Sequence, residues 1–115
     1  MGLLDSMASR VADGATVEFR PTGSSMTPLI MSRQLVSVAP VDPAKLEIGD
    51  IVLARVAGTV YLHLVSALDR TRGRVQISNN RGRANGWTAA TRVYGICVAV
   101  DGQERATAKG KVLNV

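Results

Sequence analysis

Three short segments of this chain carry side chains able to move protons or attack a carbonyl. The first is Gly23-Ser24-Ser25-Met26-Thr27-Pro28, in which Ser25 follows a glycine-bearing turn. A serine so placed can be exposed beside a free backbone N–H, as a nucleophile and an oxyanion hole both require. The same residues also suit a helix N-cap ahead of Pro28. The second is His63, the only histidine in the sequence, within the apolar run Val60-Tyr61-Leu62-His63-Leu64-Val65. A neutral imidazole near pH 7 is matched to taking a serine proton, although a lone strand histidine is commonly structural. The third is Ser78-Asn79-Asn80-Arg81-Gly82. Its asparagines suit a turn, and one amide could instead orient an imidazole as the acid of a Ser-His-Asp triad does.

The elements that position these groups read mainly as strands. Thr16 to Arg20 alternates with period two, and Leu35 to Ala39 forms a second run that ends at Pro40 and Pro43. Ile48-Gly49-Asp50 turns into Ile51 to Val56, Ala57-Gly58-Thr59 supplies a hairpin turn, and Val60 to Val65 returns. On that arm Tyr61 and His63 share one face, and Leu62 and Leu64 the other. Arg74 to Ile77 is a short strand, Ser78 to Gly86 a Gly/Asn/Arg loop, and Val93 to Val100 the last long strand. Before them, Leu3, Leu4, Met7, Ala8 and Val11 recur at helical spacing, with Gly14 as C-cap, so residues 1–14 are expected to be an amphipathic helix. The polar segment 103–115 is expected to be poorly ordered. Many short strands with Gly and Pro turns predict an all-β fold, a coiled sheet or partly closed barrel with a short N-terminal helix.

Composition narrows the classes. At 115 residues the chain is expected to form a single domain, 1–115, and its 46% hydrophobic content supports a packed core. With aromatics at only 3%, that core must come from Val, Ile, Leu, Ala and Met. One cysteine excludes an internal disulfide, and Ile96-Cys97-Val98 reads as a buried strand with an inert thiol. One Cys and one His argue against a structural zinc site, and no cofactor is expected. There is no run of about 18 apolar residues and no signal-peptide pattern, so a soluble, cytoplasmic protein without a membrane span is expected. Eleven Arg and three Lys against nine acidic residues give a net charge of +5. The arginines are dispersed and lack interleaved aromatics for base stacking, so a solvated rim is expected rather than a nucleic-acid site.

Taken in order, Gly23-x-Ser25-Met26-x-Pro28, then Gly49-Asp50-Ile51-Val52-Leu53-x-Arg55-Val56, a hairpin, and the Asn79-Asn80 loop resemble the LexA-type repressor peptidases and the type I signal peptidases. The likeness covers most of the chain, from about Val17 to Val100. It implies a β-rich fold with Ser25 as nucleophile. In LexA-like proteins and bacterial signal peptidases the base is a lysine on the hairpin strand. Here Lys45, Lys109 and Lys111 all lie elsewhere, and His63 stands at the matching position. That is similar to the archaeal and endoplasmic-reticulum signal peptidases with their Ser-His-Asp arrangement. Asn79 falls about where those enzymes keep the aspartate, and Leu64 where they usually carry Arg. An amide can hold a ring tautomer but supplies no charge, and in a serine protease that loss costs about 10⁴ in rate. Many signal peptidases use a hydroxyl two residues before the nucleophile on the oxyanion, and here that residue is Gly23. Support then falls to the Ser25 N–H, the Ser24 hydroxyl and Asn80.

Two functions follow as expectations. In one, Ser25 attacks a peptide or protein substrate, His63 takes its proton and Asn79 or Asn80 holds the ring. In the other, the chain is a catalytically weak or inactive binding or assembly module that keeps the fold, paired through edge strands into a homodimer. With only about sixteen residues ahead of the first strand, neither a helix-turn-helix domain nor a bilayer anchor is expected. A small stand-alone protein of phage or mobile-element origin fits that size.

Overall fold

A computed structural model describes residues 2–113 of the chain. It is mainly β, with one short N-terminal helix and an eight-stranded antiparallel sheet that is not closed into a barrel. Helix α1 spans Leu3–Ala12, and the strands are β1 (Val17–Phe19), β2 (Val36–Pro40), β3 (Ile51–Val56), β4 (Thr59–Asp69), β5 (Arg74–Ser78), β6 (Ala84–Ala89), β7 (Val93–Val100) and β8 (Gln103–Glu104). The spatial order is β1-β2-β7-β3-β4-β5-β6, and β8 adds to β7.

The centre of the sheet is buried on both faces, which explains its near-continuous apolar sequence. Along β3, Ile51 and Leu53 enter one core with β1, β2 and α1, while Val52, Ala54 and Val56 enter a second with Val75, Ile77, Val93 and Ile96. That split is the period-two alternation of a strand. Bulges at Ser37/Val38, Leu53/Ala54, Val65/Ala67 and Ile77/Ser78 bend the ladders. Bulges increase local twist and curvature, and the sheet curls until Thr88 on β6 donates its hydroxyl to the Arg55 carbonyl at 2.8 Å. The β3–β4 connection is the two-residue Ala57-Gly58, with φ values of 48° and 86°. Both central residues lie in the left-handed region, as a type I′ hairpin requires.

Helix α1 ends as its sequence predicts. Gly14 adopts φ 100°, its N–H bonds to the Val11 carbonyl, and the Ala15 N–H reaches back to the Arg10 carbonyl. These two bonds are the Schellman pattern. Met7, Ala8 and Val11 are buried against the sheet. Val11 approaches so closely that a Cβ on Gly95 of β7 would stand 2.7 Å from its Cγ1 and 2.8 Å from the Ala39 carbonyl oxygen. Gly95 therefore marks a point of close approach between helix and sheet.

Two sequence expectations are corrected. The Ser78 to Gly86 segment is not all loop, because β6 begins at Ala84 inside it. Asn and Gly are weak strand formers, and it is pairing with β5 that extends this stretch. The tail is not loose over residues 103–113 either; Asn114 and Val115 lie outside the described residues, as does Met1 of the N-terminal helix segment. Strand β8, a 3₁₀ turn at Ala106–Ala108 and a Val41–Val112 bridge fold it back on the domain. There the Lys111 ammonium reaches both oxygens of Asp50, at 2.8 and 3.0 Å, and Glu47 at 2.9 Å. Asp50 and Lys111 are buried. Burial opposes the charge on Lys111, and its bonds to the two carboxylates outweigh that, raising its pKa. No helix among the described residues is long and apolar enough to cross a membrane.

Candidate active site

Ser25 sits in the connection between β1 and β2, on a turn spanning Ser25 to Leu29 rather than at a helix start. Gly23 enters this turn at φ 103°, in the left-handed region that favours glycine. The Ser24 carbonyl accepts from the Thr27 N–H at 3.3 Å and from the Thr27 hydroxyl at 2.9 Å, which closes the turn. The turn leaves the Ser25 hydroxyl pointing at β4, where it lies 3.1 Å from His63 Nε2. The expected serine and histidine are brought into direct hydrogen-bond contact.

The His63 ring is held on three sides. Its Nδ1 is 2.7 Å from Oδ1 of Asn85, and the Tyr61 ring stacks on it with centroids 5.1 Å apart and planes 24° from parallel. An amide oxygen at Nδ1 can only accept, so it places the ring proton there and leaves Nε2 as the acceptor for the Ser25 hydroxyl. Burial lowers the His63 pKa from its ordinary value of 6.5, and the Asn85 bond partly offsets this. Below neutral pH the ring therefore stays a neutral base longer than a solvated imidazole does.

Asn79, expected on the ring, is not there. Its side-chain oxygen accepts from the N–H groups of Arg81 and Arg83, both at 2.9 Å, and its own N–H donates to the Arg83 carbonyl. Asn79 thus closes the β5–β6 loop as an Asx turn, and the ring partner is Asn85, which the sequence reading passed over. Asn85 is the extra residue of a β-bulge, since Ser78 pairs with Ala84 and Ile77 with Gly86. A bulge re-aims a side chain, and no local pattern announced it. The available signal was an Asn-Gly pair just before the strand formers Trp87 and Thr88.

Asn80 supports the turn rather than an oxyanion. Its N–H donates to the Ser25 carbonyl at 2.8 Å and its amide nitrogen to the Thr27 carbonyl at 2.9 Å, tying the nucleophile turn to the β5–β6 loop. The Ser24 side chain is exposed and makes no hydrogen bond to another described residue. The Ser25 N–H likewise takes no partner among the described residues, which leaves it open to an oxygen arriving at Ser25.

A small cleft of about 80 Å³ opens beside Ser25 and His63, walled by Met26, Ile30, Met31 and Tyr61, with Leu4 of α1 at its edge. Next to it runs an unpaired sheet edge. Strand β3 covers one side of β4 from Thr59, whereas β5 covers the other only from Leu64, so Thr59 to His63 keeps a free side among the described residues. Cys97 plays no part: it is buried, and burial pushes its thiol up to about 11. Arg72, Arg74, Arg81 and Arg83 are exposed at strand ends, while Arg70 donates to the carbonyls of Ala44 and Leu46.

Compared with known proteins, the chain matches no family model, no curated sequence and no solved structure.

Proposed function

We propose that this chain is a serine endopeptidase of the LexA/signal-peptidase type that works through a Ser25–His63 dyad. The carrying observation is the linked geometry of Ser25 Oγ, His63 Nε2, His63 Nδ1 and Asn85 Oδ1, at 3.1 and 2.7 Å. A serine, an accepting imidazole nitrogen and a fixed opposite nitrogen are the parts that nucleophilic acyl transfer needs.

The reaction follows from these positions. An extended peptide adds to the free edge of β4 as a further strand, a mode in which main-chain hydrogen bonds supply affinity. A side chain beside the scissile bond enters the cleft, whose size admits only a small one. Ser25 Oγ attacks the carbonyl as His63 Nε2 takes its proton, and the Ser25 N–H meets the oxyanion. The imidazolium then protonates the leaving amine, and water enters to hydrolyse the acyl-enzyme with His63 again as base. Asn85 keeps the ring in the accepting tautomer throughout, as a positioning residue.

A fluorophosphonate probe tests this directly. Wild-type protein is expected to be labelled at Ser25, with labelling abolished in Ser25→Ala and strongly slowed in His63→Ala. A folded wild type that stays unlabelled would sink the proposal. It would favour the other reading, a peptidase-fold binding module, which the uncharged partner on His63 would suit.

A further inference from the structure

The amide that holds His63 belongs to the one Asn-Gly pair in the sequence, Asn85-Gly86. Such a pair is chemically the most exposed to loss of its side-chain amide. The backbone nitrogen of the following residue must reach the Asn Cγ, and glycine carries no Cβ to obstruct it. Three features add to this. Asn85 is the bulged residue of β6, without a ladder partner of its own, so the peptide linking it to Gly86 is less constrained than one within a regular ladder. Asn85 and Gly86 are only half-buried, so water reaches them. Finally, Asn85 Oδ1 accepts a 2.7 Å hydrogen bond from the ring nitrogen of His63, which draws electron density from Cγ and favours attack there.

We propose that Asn85 is a self-modification site whose deamidation places an aspartate against His63 Nδ1 and completes a Ser-His-Asp triad. The proposal rests on the peptidase reading of Ser25 and His63. In the first step the Gly86 nitrogen bonds to Asn85 Cγ. The Cγ–Nδ2 bond breaks, and the amide nitrogen leaves as ammonia with the proton shed by the Gly86 N–H. In the second step water opens the cyclic imide at Cγ, restoring the main-chain peptide and leaving a carboxylate. No oxidant or cofactor takes part. Opening at the other carbonyl gives the isoaspartyl linkage instead, which lengthens the backbone of β6 and misplaces the acid.

The consequence is a timed increase in activity. An amide holds the imidazole tautomer, and a carboxylate also stabilises the imidazolium that forms when Ser25 gives up its proton. Exchanging that aspartate for asparagine in a serine protease costs about 10⁴ in rate, a cost that includes the wrong ring tautomer. Because the correct tautomer is already held here, the gain on deamidation is expected to reach at most that size. Newly made chain is thus slow, and its activity rises with the deamidated fraction.

The test follows one preparation of the full chain as it ages at mildly alkaline pH, which speeds the loss of ammonia. Peptide mapping by mass spectrometry reads the state of Asn85, and fragmentation separates the aspartyl from the isoaspartyl product. Fluorophosphonate labelling of the same aliquots reads Ser25. The expected result is an amide-to-acid mass shift at Asn85 while the chain stays folded. The labelling rate should climb in step with it towards that of Asn85→Asp, whose acid limb lies at higher pH than that of fresh wild type. Persistence of the Asn85 amide overturns the inference, as does conversion to the aspartyl form with no rise in labelling. If Asn85→Asp labels rapidly while wild-type Asn85 stays an amide, deamidation fails and the peptidase reading stands. If folded wild type stays unlabelled throughout, the peptidase reading itself fails. Should Asn85→Asp not fold, the ageing series alone decides.

Discussion

Replacing Asn85 by alanine isolates what a neutral amide contributes to the dyad. The substitution removes the 2.7 Å acceptor at Nδ1 of a buried ring and leaves the 3.1 Å contact with Ser25 untouched. The ring must then either bury an unsatisfied N–H or move its proton to Nε2, where it can no longer accept from Ser25. A buried donor left without a partner costs about 1–3 kcal/mol. If the ring recovers its working state at that cost, the labelling rate of Ser25 falls about 5- to 150-fold. The pH profile supplies a second and independent reading. Burial lowers the His63 pKa and the Asn85 bond raises it, so deleting Asn85 shifts the pKa further down. The base form is lost as pH falls through that pKa, so the acid limb of the Asn85→Ala profile should move to lower pH while its plateau drops. The assay is the second-order rate of fluorophosphonate labelling across the pH range, with circular dichroism confirming a folded chain. A plateau within twofold of wild type, with the acid limb unmoved, would refute the positioning role.

Two predictions concern the frame around the site. In Lys111→Met the buried Asp50 carboxylate loses its counter-charge, and breaking such a pair from one side costs about 3–5 kcal/mol. Urea denaturation should show a loss of that order, and most of it should return in the double variant Asp50→Asn/Lys111→Met; a single-variant loss under 1 kcal/mol would mean that the tail is not latched there. In Gly95→Ala the new Cβ meets Val11 and a backbone carbonyl inside 3 Å, and forcing a side chain into a filled core costs about 1–3 kcal/mol. An unchanged unfolding midpoint for that variant would show that α1 does not pack on β7 as described.

The strands were legible where their apolar pattern was regular. Ile51 to Val56 and Val93 to Val100 lie where their apolar runs and the turn residues around them put them. The tail was not legible, because its attachment depends on one lysine finding a carboxylate distant in sequence: Lys111 meets Asp50 61 positions away. That contact also gives the Gly49-Asp50 turn a structural reason. Gly49 takes φ 99° and donates to the Val65 carbonyl, and Asp50 caps the Glu47 N–H at 2.8 Å besides binding Lys111. A motif found beside a candidate site can therefore be scaffold in chemistry as well as in place.

The site divides along the same line. His63 could be singled out because the sequence holds one histidine, and Ser25 because Gly23-x-Ser25-Met26-x-Pro28 stands in order with Gly49-Asp50, the hairpin and the Asn79-Asn80 loop. The ring's third partner could not be chosen that way, because Asn79, Asn80 and Asn85 offer identical amides within seven residues. Three-dimensional register decides among them. Asn79 is consumed by the loop it closes, and Asn80 by the turn that carries Ser25. Asn85 reaches the ring from the position where β6 holds one residue more than β5 can pair. A one-residue change of register reverses the face on which a strand residue lies, so the bulge, and not the amide, makes Asn85 the ring partner. Deleting Ala84 should therefore slow fluorophosphonate labelling of Ser25 to about the rate of Asn85→Ala while leaving all three asparagines in the chain, and a folded variant labelled at the wild-type rate would refute this.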